Sequence, residues 1–231
     1  MARPRVICHM VASVDGRIAT SGWPVGDAVR AHYEKVHESY HADGWICGRV
    51  TMEPFAKRLR RDAEVNREHL GDAREDFVAA GEHASYAIAI DASGRLAWES
   101  NDIDGDHVVA VLSERVSNEY LAFLRARGVS YVLAGAREVD LRLALEKVSS
   151  LFAVKTLMLE GGGRINGGFL AAGAIDEVSL LIAPVADGRM GTPTLFDVGG
   201  TDAPPHQLAL EGVERLADDI LWLRYRVEDA R

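Results

Sequence analysis

One stretch of the sequence joins a carboxylate to three consecutive glycines. The apolar residues 157–159 are followed by Glu160 and then by Gly161, Gly162 and Gly163. Three glycines favour neither a strand nor a helix, so we interpret them as a place where another group approaches the backbone closely. A nucleotide phosphate is the natural candidate, because a helix predicted at 164–173 begins there and helix N-termini attract anions. The stretch therefore predicts a nucleotide-binding site.

Ser13 and Asp15 form a second polar group at the end of an apolar run. Residues 5–13 carry apolar side chains on both faces, which is typical of a central strand in a covered sheet. Ligands of open α/β sheets bind at the carboxyl ends of such strands, and the alternation of Ser13 and Asp15 can turn both toward one cleft. The alternative is that Asp15 and Gly16 only reverse the chain in a turn.

A third candidate follows the strand-like residues 45–48. Gly48 precedes a short predicted helix that Thr51 can cap, while Arg49 adds positive charge, so this turn offers a second anion site. Any strand-to-helix turn looks similar, and this signal alone is weak. The charged residues 57–76 that come next, with a basic cluster at 57–61, predict a solvated helix or mobile loop rather than a phosphate-binding lid.

His37, Glu38 and His41 match the H-E-x-x-H pattern of zinc proteases. They lie in a helix predicted from a cap at Asp27 to residue 42. Its apolar stripe consists of Val29, Tyr33, Val36 and Tyr40. His37 and His41 lie about 70° and about 110° from the centre of that stripe, so we expect both to point toward solvent. Cys47, where an extended pattern has its third ligand, belongs to a strand that we expect to be buried. We predict no metal site here.

The elements that must position these residues alternate regularly. Strands are predicted at 86–90, 107–112, 131–133 and 156–160, and helices at 118–127 and 141–152. This order predicts a largely parallel sheet with right-handed crossovers. After a strand at 176–184, residues 185–205 carry four glycines and three prolines and predict a cleft wall or contact surface. Residues 206–216 and 220–228 predict an antiparallel hairpin added to the sheet.

Composition limits the classes of protein that the chain can belong to. Its 231 residues, 48% of them hydrophobic, suffice for one α/β domain spanning 1–231. The 35 acidic residues against 26 Lys and Arg give a net charge of −9, which argues against binding nucleic acid. The N-terminus lacks a signal-peptide core and no run is long enough to span a membrane, so we expect a cytoplasmic protein. Cys8 and Cys47 are expected to be buried thiols rather than a disulfide.

The common nucleotide-binding and hydrolase motifs do not fit the sequence. The stretch from Gly161 to Asn166 is one residue short of the dinucleotide fingerprint, and no acidic residue follows at the expected distance. Neither the phosphate-binding G-x-x-x-x-G-K-[ST] loop nor the G-x-S-x-G hydrolase motif occurs in the chain.

The sequence resembles the reductase domain of riboflavin biosynthesis, a family with the fold of dihydrofolate reductase. The resemblance covers nearly the whole chain, and its most specific block is residues 160–167. The supporting blocks are residues 13–19, 48–51, 170–177, 183–184 and 191–196. It implies a three-layer α/β fold with a mostly parallel central sheet and a C-terminal antiparallel hairpin.

The resemblance also implies a reaction, which is the NADPH-dependent reduction of a ribosylaminopyrimidine 5′-phosphate to its ribityl form by a homodimer. It assigns cofactor binding to Ala12, Gly48, Arg49, Thr51, Gly161, Gly162, Gly163, Arg164 and Ile165. It assigns substrate contacts to Ser13, Asp15 and Glu160. We expect Arg49 to favour the 2′-phosphate. Asp15 and Glu160 flank the expected nicotinamide site, and either can donate a proton if burial raises its pKa. We favour Asp15 as the acid that orients the substrate. A strained or cis peptide is expected within the glycine triplet.

Two features leave alternatives open. Biosynthetic members of the family carry arginines for the substrate phosphate in the first helix region, where this chain carries histidines. They also have an aspartate-rich turn after the threonine, where this chain has Glu53, Pro54 and Phe55. A reductase of the same fold that acts on dihydrofolate or another small molecule is therefore the nearest alternative. A cofactor-binding module without catalysis and an H-E-x-x-H zinc hydrolase are the others.

The apolar pair Leu195 and Phe196 lies in a loop, and for this reason we expect the dimer contact at that loop or at the late strands.

Overall fold

The computed structural model describes residues 3–58, 74–199 and 205–228, which fall into two compact units. The first unit contains the described residues of Met1–Pro4 and Asp43–Lys155, and the second contains those of Arg5–Ala42 and Thr156–Arg231. Most of the charged segment at 57–76 lies outside the described residues, which leaves its predicted conformation a prediction. The single-domain organisation likewise remains a prediction.

The helices and strands follow the predicted order closely. The strands are β1 (Arg5–Ala12), β2 (Gly44–Gly48), β3 (Lys57–Arg58), β4 (Tyr86–Ile90), β5 (Leu96–Ala97), β6 (Asp102–Ile103), β7 (Asp106–Leu112), β8 (Ser130–Leu133), β9 (Thr156–Leu159), β10 (Glu177–Ile182), β11 (Leu208–Arg215) and β12 (Leu221–Val227). The helices are α1 (Gly26–Ser39), α2 (Arg49–Met52), α3 (Asn118–Ala126), α4 (Leu141–Phe152) and α5 (Gly163–Ala171). The two-residue strands β3, β5 and β6 are too short to leave a pattern in the sequence.

In the second unit, the strands lie in the order β11-β12-β10-β1-β9. β1 pairs in parallel with both β9 and β10, and the antiparallel hairpin of β11 and β12 continues the sheet from β10. The predicted hairpin beside parallel strands is thus confirmed. Helix α1 packs its buried Val29 and Val36 in a cluster with Leu181, Ala183 and Ile220, as its apolar spacing predicts.

In the first unit, β2, β4, β7 and β8 pair in parallel in that order, and β6 runs antiparallel to β7. The predicted alternation of strands with α3 and α4 is confirmed. The core is built around fully buried large side chains, among them Met52, Trp98, Leu124 and Tyr131. Mostly parallel strands with a C-terminal antiparallel pair confirm the predicted α/β class.

Two predicted helix caps are wrong. Helix α1 is preceded by Val25 as its N-cap, and Asp27 lies inside its first turn. Helix α2 begins at Arg49 directly after the extended Gly48, which places Thr51 inside the helix. In both cases the chain becomes helical earlier than the cap residue suggests, because the preceding residue already supplies the non-helical N-cap conformation.

Cys8 and Cys47 are both buried and form no disulfide, as predicted. Among the described residues, no helix is long and apolar enough to cross a membrane.

Candidate active site

The glycine triplet turns the chain from β9 into α5. Gly161 has a φ of 134° and Gly162 a φ of 60°, values that side chains disfavour, so both positions favour glycine on backbone grounds. Gly162 is the N-cap of α5 and offers no side-chain cap. The N–H groups of Ile165 and Asn166 donate to its carbonyl oxygen at 2.9 and 3.0 Å. The N–H groups of Gly163 and exposed Arg164 precede these donors, at the positive end of the helix.

The close approach that the glycines predicted is made at Gly163 by the chain itself. A Cβ on Gly163 would collide with the carbonyl oxygen of Thr194 and the carboxylate of Asp197. A Cβ on Gly167 would lie 2.6 Å from the Asp197 carbonyl oxygen. Of the strained or cis peptide expected here, the cis alternative is wrong, because the described chain contains no cis peptide and the positive φ angles of Gly161 and Gly162 make the turn.

Glu160, the residue between β9 and the glycines, is paired with a histidine from α1. Its Oε1 lies 2.7 Å from Nδ1 of His37. The side chain of Glu160 is 16% exposed and that of His37 is 33% exposed. The expectation that His37 points toward solvent is therefore wrong, whereas His41 is exposed. His41 follows the end of α1 at a φ of 46°, so the helical H-E-x-x-H geometry is absent.

A buried polar layer lies beneath this pair. The ring of His9 on β1 stacks on Tyr33, and its Nε2 donates to the Tyr33 carbonyl oxygen at 3.1 Å. His9 Nδ1 lies 3.1 Å from the Ser179 hydroxyl and 3.3 Å from the Ser179 carbonyl oxygen, and Trp222 Nε1 donates to the same hydroxyl at 2.9 Å. Burial lowers the pKa of His9, while the hydrogen bonds with Tyr33 and Ser179 oppose that shift. Burial and then the charge of Glu160 raise the pKa of the Cys8 thiol.

Ser13 and Asp15 form a closed hydrogen-bonded turn after β1. The Ser13 hydroxyl donates to Asp15 Oδ1 at 2.7 Å and accepts from the Arg17 N–H at 2.9 Å. The backbone N–H groups of Asp187 and Gly188 each donate to the Asp15 carboxylate at 2.8 Å. Ser13 is buried and Asp15 is exposed, so the two side chains are neighbours in one turn.

These bonds decide the charge of Asp15. The Asp187 N–H, the Ser13 hydroxyl and the Gly188 N–H lower its pKa from 3.8 to about 2. The condition for proton donation, a pKa raised by burial, is not met, because hydrogen bonds to the ionised form outweigh desolvation here. Asp15 is a carboxylate at neutral pH.

The Gly- and Pro-rich segment folds back onto this turn. Asp187 accepts from Trp23 Nε1 at 2.8 Å, and Arg189 donates to the Ala19 carbonyl oxygen at 2.7 Å. Leu195 and Phe196 are half-buried. The Leu195 carbonyl oxygen accepts from the Asn166 side chain on α5 at 3.0 Å. The segment therefore forms a wall that is tied to both the 13–17 turn and α5.

The strand register separates Glu160 from the turn that contains Ser13 and Asp15. Cys8 pairs with Leu159 at the end of β9, so Glu160 follows at the level of His9. Ser13 comes four residues later, about 13 Å further along β1 at the usual rise of a strand. Ala12, the last residue of β1, is buried and pairs with Ile182.

The remaining predicted cofactor residues belong to the first unit. Gly48 is buried at the N-cap of α2, and Thr51 is exposed. Arg49 forms an ion pair with Glu53 one turn later in sequence, and both side chains are partly exposed. The guanidinium is therefore already engaged by a carboxylate of its own chain.

Sequence reasoning missed three residues that build the second unit's site: His37, Asp187 and Asp197. The position of His37 at the border of the apolar stripe was a signal for partial burial. The contacts of Asp187 and Asp197 left none, because both residues lie in an irregular loop. Within the described ranges, no group of three or more His, Cys, Asp or Glu residues is placed to hold a metal ion.

The chain is similar in sequence to a known protein family and to reductases of two organisms. A family model described as the RibD C-terminal domain matches residues 4–222. The chain is 30% identical over 211 residues to the 2,5-diamino-6-ribosylamino-4(3H)-pyrimidinone 5′-phosphate reductase of Methanothermobacter thermautotrophicus, covering 90% of this chain and 91% of the relative. The Aquifex aeolicus protein of the same name is 31% identical over 118 residues, or 51% of this chain and 46% of that one.

Solved structures support the same fold. A pyrimidine reductase-like protein from Corynebacterium diphtheriae aligns over 98% of this chain and 93% of its own, with a TM-score of 0.70 and 19% identity. A bifunctional deaminase and 5-amino-6-(5-phosphoribosylamino)uracil reductase from Thermotoga maritima aligns over 98% of this chain and 57% of its own, with a TM-score of 0.62 and 17% identity. With the family match over nearly its whole length, this chain belongs to the RibD C-terminal domain family.

Proposed function

We propose that this protein is an NADPH-dependent reductase that converts a ribosylaminopyrimidine 5′-phosphate to the ribitylaminopyrimidine of riboflavin biosynthesis. The observation that carries the proposal is the full-length similarity to a reductase named for a ribosylaminopyrimidinone 5′-phosphate. The geometry supports it, because a carboxylate stands immediately before a glycine turn and a helix N-terminus without a side-chain cap.

The start of α5 fits the diphosphate of a nicotinamide dinucleotide. The N–H groups of Gly163 and Arg164 lie at the positive end of a nine-residue helix, and Gly162 brings no side chain that would cover them. We assign Gly161, Gly162, Gly163, Arg164 and Ile165 to the cofactor. When bound, the reduced nicotinamide supplies the hydride.

We assign the other cofactor contacts to Ala12 and to the α2 segment. Gly48 and Thr51 are proposed to contact the cofactor through the first turn of that segment. Arg49 is proposed to recognise the 2′-phosphate that distinguishes NADPH from NADH, because its guanidinium suits a phosphate. The ion pair with Glu53 must then open or be shared when a phosphate binds.

Ser13, Asp15 and Glu160 are proposed to contact the substrate. Asp15 stays ionised and fixed by its three donors, so we assign it the role of orienting a substrate hydroxyl or amino group. Glu160 is half-buried and shares its carboxylate with His37, which suits a carboxylate that binds the sugar or the base. Most of the rate is expected to come from positioning the two reacting carbons, because hydride transfer needs close contact more than a strong base.

The test is product analysis by mass spectrometry after the protein is mixed with NADPH and the ribosylaminopyrimidine phosphate. The expected product is two mass units heavier than the substrate, one hydride and one proton. Parallel reactions with dihydrofolate test the nearest alternative. Turnover of dihydrofolate without turnover of the pyrimidine would overturn the proposal in favour of that alternative.

A paired variant tests the cofactor assignment. Gly162→Val is expected to abolish NADPH binding, because a side chain would cover the helix N-terminus at a φ of 60°. Gly22→Val is the matched control, since Gly22 has a φ of 82° and open space around it. Equal loss of binding in both variants would show that backbone strain alone is responsible.

We further propose a cytoplasmic homodimer that does not bind nucleic acid. β11 is an edge strand whose Leu210 and Val213 are 57% and 59% exposed, which supports a second copy as their cover. The net charge of −9 argues against nucleic acid. Reduction of a phosphorylated pathway intermediate by NADPH supports the cytoplasm.

A further inference from the structure

The pair formed by Glu160 and His37 joins two elements that are far apart in sequence. Glu160 follows β9, next to the glycine turn, and His37 lies in the last turn of α1, 123 residues earlier. The 2.7 Å between Nδ1 of His37 and Oε1 of Glu160 lies at the lower end of the usual range for a charged N–H and a carboxylate. His37 keeps about twice the exposure of Glu160, 33% against 16%, so its ring reaches solvent while its partner is more enclosed.

Titratable side chains from β1 and from the residue after α1 lie near the pair. The ring centroid of His9 on β1 lies 6.4 Å from that of His37, and burial lowers the pKa of His9. The Cys8 thiol, also on β1, is buried and neutral because burial raises its pKa. Tyr40, the residue that follows α1, donates to Glu177, and burial raises its pKa as well.

The other carboxylate assigned to the substrate cannot donate a proton. Asp15 accepts from the Ser13 hydroxyl and from two backbone N–H groups, and these bonds keep it ionised down to a pH of about 2. The reduction consumes one proton for each hydride. A proton source must therefore be found elsewhere in the site.

We propose that His37 is a positioning residue that supplies this proton through Glu160, with Glu160 in contact with the substrate. The inference rests on the proposed function. The proposal gives His37 a role other than the metal binding that the H-E-x-x-H pattern suggests, because its partner is the Glu160 carboxylate.

The proposed reduction opens the ribose ring and then adds one hydride and one proton. The bond between C1′ and the ring oxygen of the ribosylamine breaks, the proton on nitrogen passes to that oxygen, and a C1′=N imine is left. C1′ accepts a hydride from the dihydronicotinamide, which is oxidised, while the π electrons move to nitrogen. The nitrogen takes a proton from the Glu160 carboxyl, Glu160 takes one from the His37 imidazolium, and His37 regains one from solvent.

The experiment compares His37→Asn with His41→Asn. Asparagine at position 37 keeps an N–H donor for Glu160, but its amide cannot release a proton as an imidazolium does. His41 is exposed and its φ of 46° is tolerated by asparagine, which makes it the matched control. We expect His37→Asn to lower kcat about a hundredfold, the lower end of the range for loss of acid catalysis, with the KM for NADPH unchanged.

The pH profile separates a proton source from a packing role. In the wild type, the rate should fall toward alkaline pH as His37 loses its proton, and His37→Asn should remove this dependence. His41→Asn should keep both the rate and the profile of the wild type. An unchanged kcat and profile in His37→Asn would overturn the proposal while leaving the proposed function intact.

A spectroscopic measurement on the ligand-free protein tests the pair independently of activity. The hydrogen-bonded ring N–H of His37 should give a slowly exchanging resonance in ¹⁵N-histidine-labelled protein that disappears in Glu160→Gln. A resonance that Glu160→Gln leaves unchanged would overturn the pairing whatever the activity. Wild-type protein that shows the resonance but reduces no pyrimidine would overturn the proposed function, and with it the role given to His37.

Discussion

Asp197 closes over Gly163 at the start of α5. Its backbone N–H donates to the Gly163 carbonyl oxygen at 2.9 Å, and its carboxylate occupies the space into which a Cβ of Gly163 would project. The Thr194 hydroxyl donates to the same carboxylate at 2.6 Å, which fixes the loop on the helix. The third glycine of the triplet is therefore required by the fold, before any cofactor is considered.

Gly163→Ala is expected to destabilise the protein. The added methyl group forces the 194–197 loop away from α5, and overpacking of this kind costs about 1–3 kcal/mol of unfolding free energy. Gly26→Ala is the matched control, because Gly26 is also the first residue of a helix but has open space around it. Denaturant unfolding should show no loss, or a small gain, for the control. An equal change in both variants would contradict the packing argument.

Asp15→Asn is expected to lower turnover about a hundredfold while the affinity for NADPH stays nearly unchanged. The amide keeps one acceptor oxygen but cannot accept from Ser13, Asp187 and Gly188 together, so the turn and its loop lose their fixed position. Steady-state kinetics and cofactor titration measure the two effects. Because Asp15 is not the proton donor, the shape of the pH profile should stay that of the wild type. Unchanged turnover would remove Asp15 from the site.

Glu53→Gln is expected to increase the preference for NADPH over NADH by about twofold. The substitution frees the Arg49 guanidinium from an ion pair of a spacing that is worth about 0.3–0.5 kcal/mol. Arg49→Met should instead reduce the preference. Glu34→Gln is the control, since Arg30 and Glu34 form an exposed pair of the same spacing on α1. Equal binding of both cofactors by the wild type would show that Arg49 does not read the 2′-phosphate.

Stability is expected to fall as pH is lowered from about 6.5 to about 4 because of His107. Its Nε2 lies 2.7 Å from the Ser130 hydroxyl and its ring stacks on His83. Burial and then His83 lower its pKa from 6.5 to about 4. In this window the unfolded chain binds a proton that folded His107 does not, so stability is lost as the pH falls.

His107→Gln should flatten this dependence, by about 2 kcal/mol between pH 7 and pH 4. His41→Asn, at an exposed position, should leave the slope as it is. Urea unfolding at a series of pH values makes the comparison. His9 contributes with the same sign, since burial lowers its pKa too. A parallel curve for His107→Gln would contradict the assignment.

Leu210→Glu is expected to convert the proposed homodimer into a monomer. Leu210 is exposed on the edge strand β11, where a charge would be buried in the contact. Met190→Glu tests the Gly- and Pro-rich segment, since Met190 is 95% exposed there. Sedimentation at micromolar concentration decides which surface is used. A wild-type monomer under these conditions would exclude the dimer.

The sequence by itself determined the order and type of the elements. Runs such as residues 5–12 and 86–90 are apolar on both faces, and helices such as Leu141–Phe152 have a clear apolar stripe. These signals lie within one element, where backbone geometry sets the period. The glycine triplet and the residues around it also form a signal within one short stretch of sequence. That stretch was enough to identify the family.

The tertiary structure alone decided what the site residues touch. His37 meets Glu160 across 123 positions, and Asp15 meets the Asp187 N–H across 172. The first contact reverses the solvent-facing orientation predicted for His37. The second lowers the pKa of Asp15, so the condition for proton donation by Asp15 is not met. Charge and hydrogen bonding depend on which distant groups arrive at an atom, and a periodic pattern carries no record of them. The same holds for Gly163, whose neighbour Asp197 lies in a loop without any period.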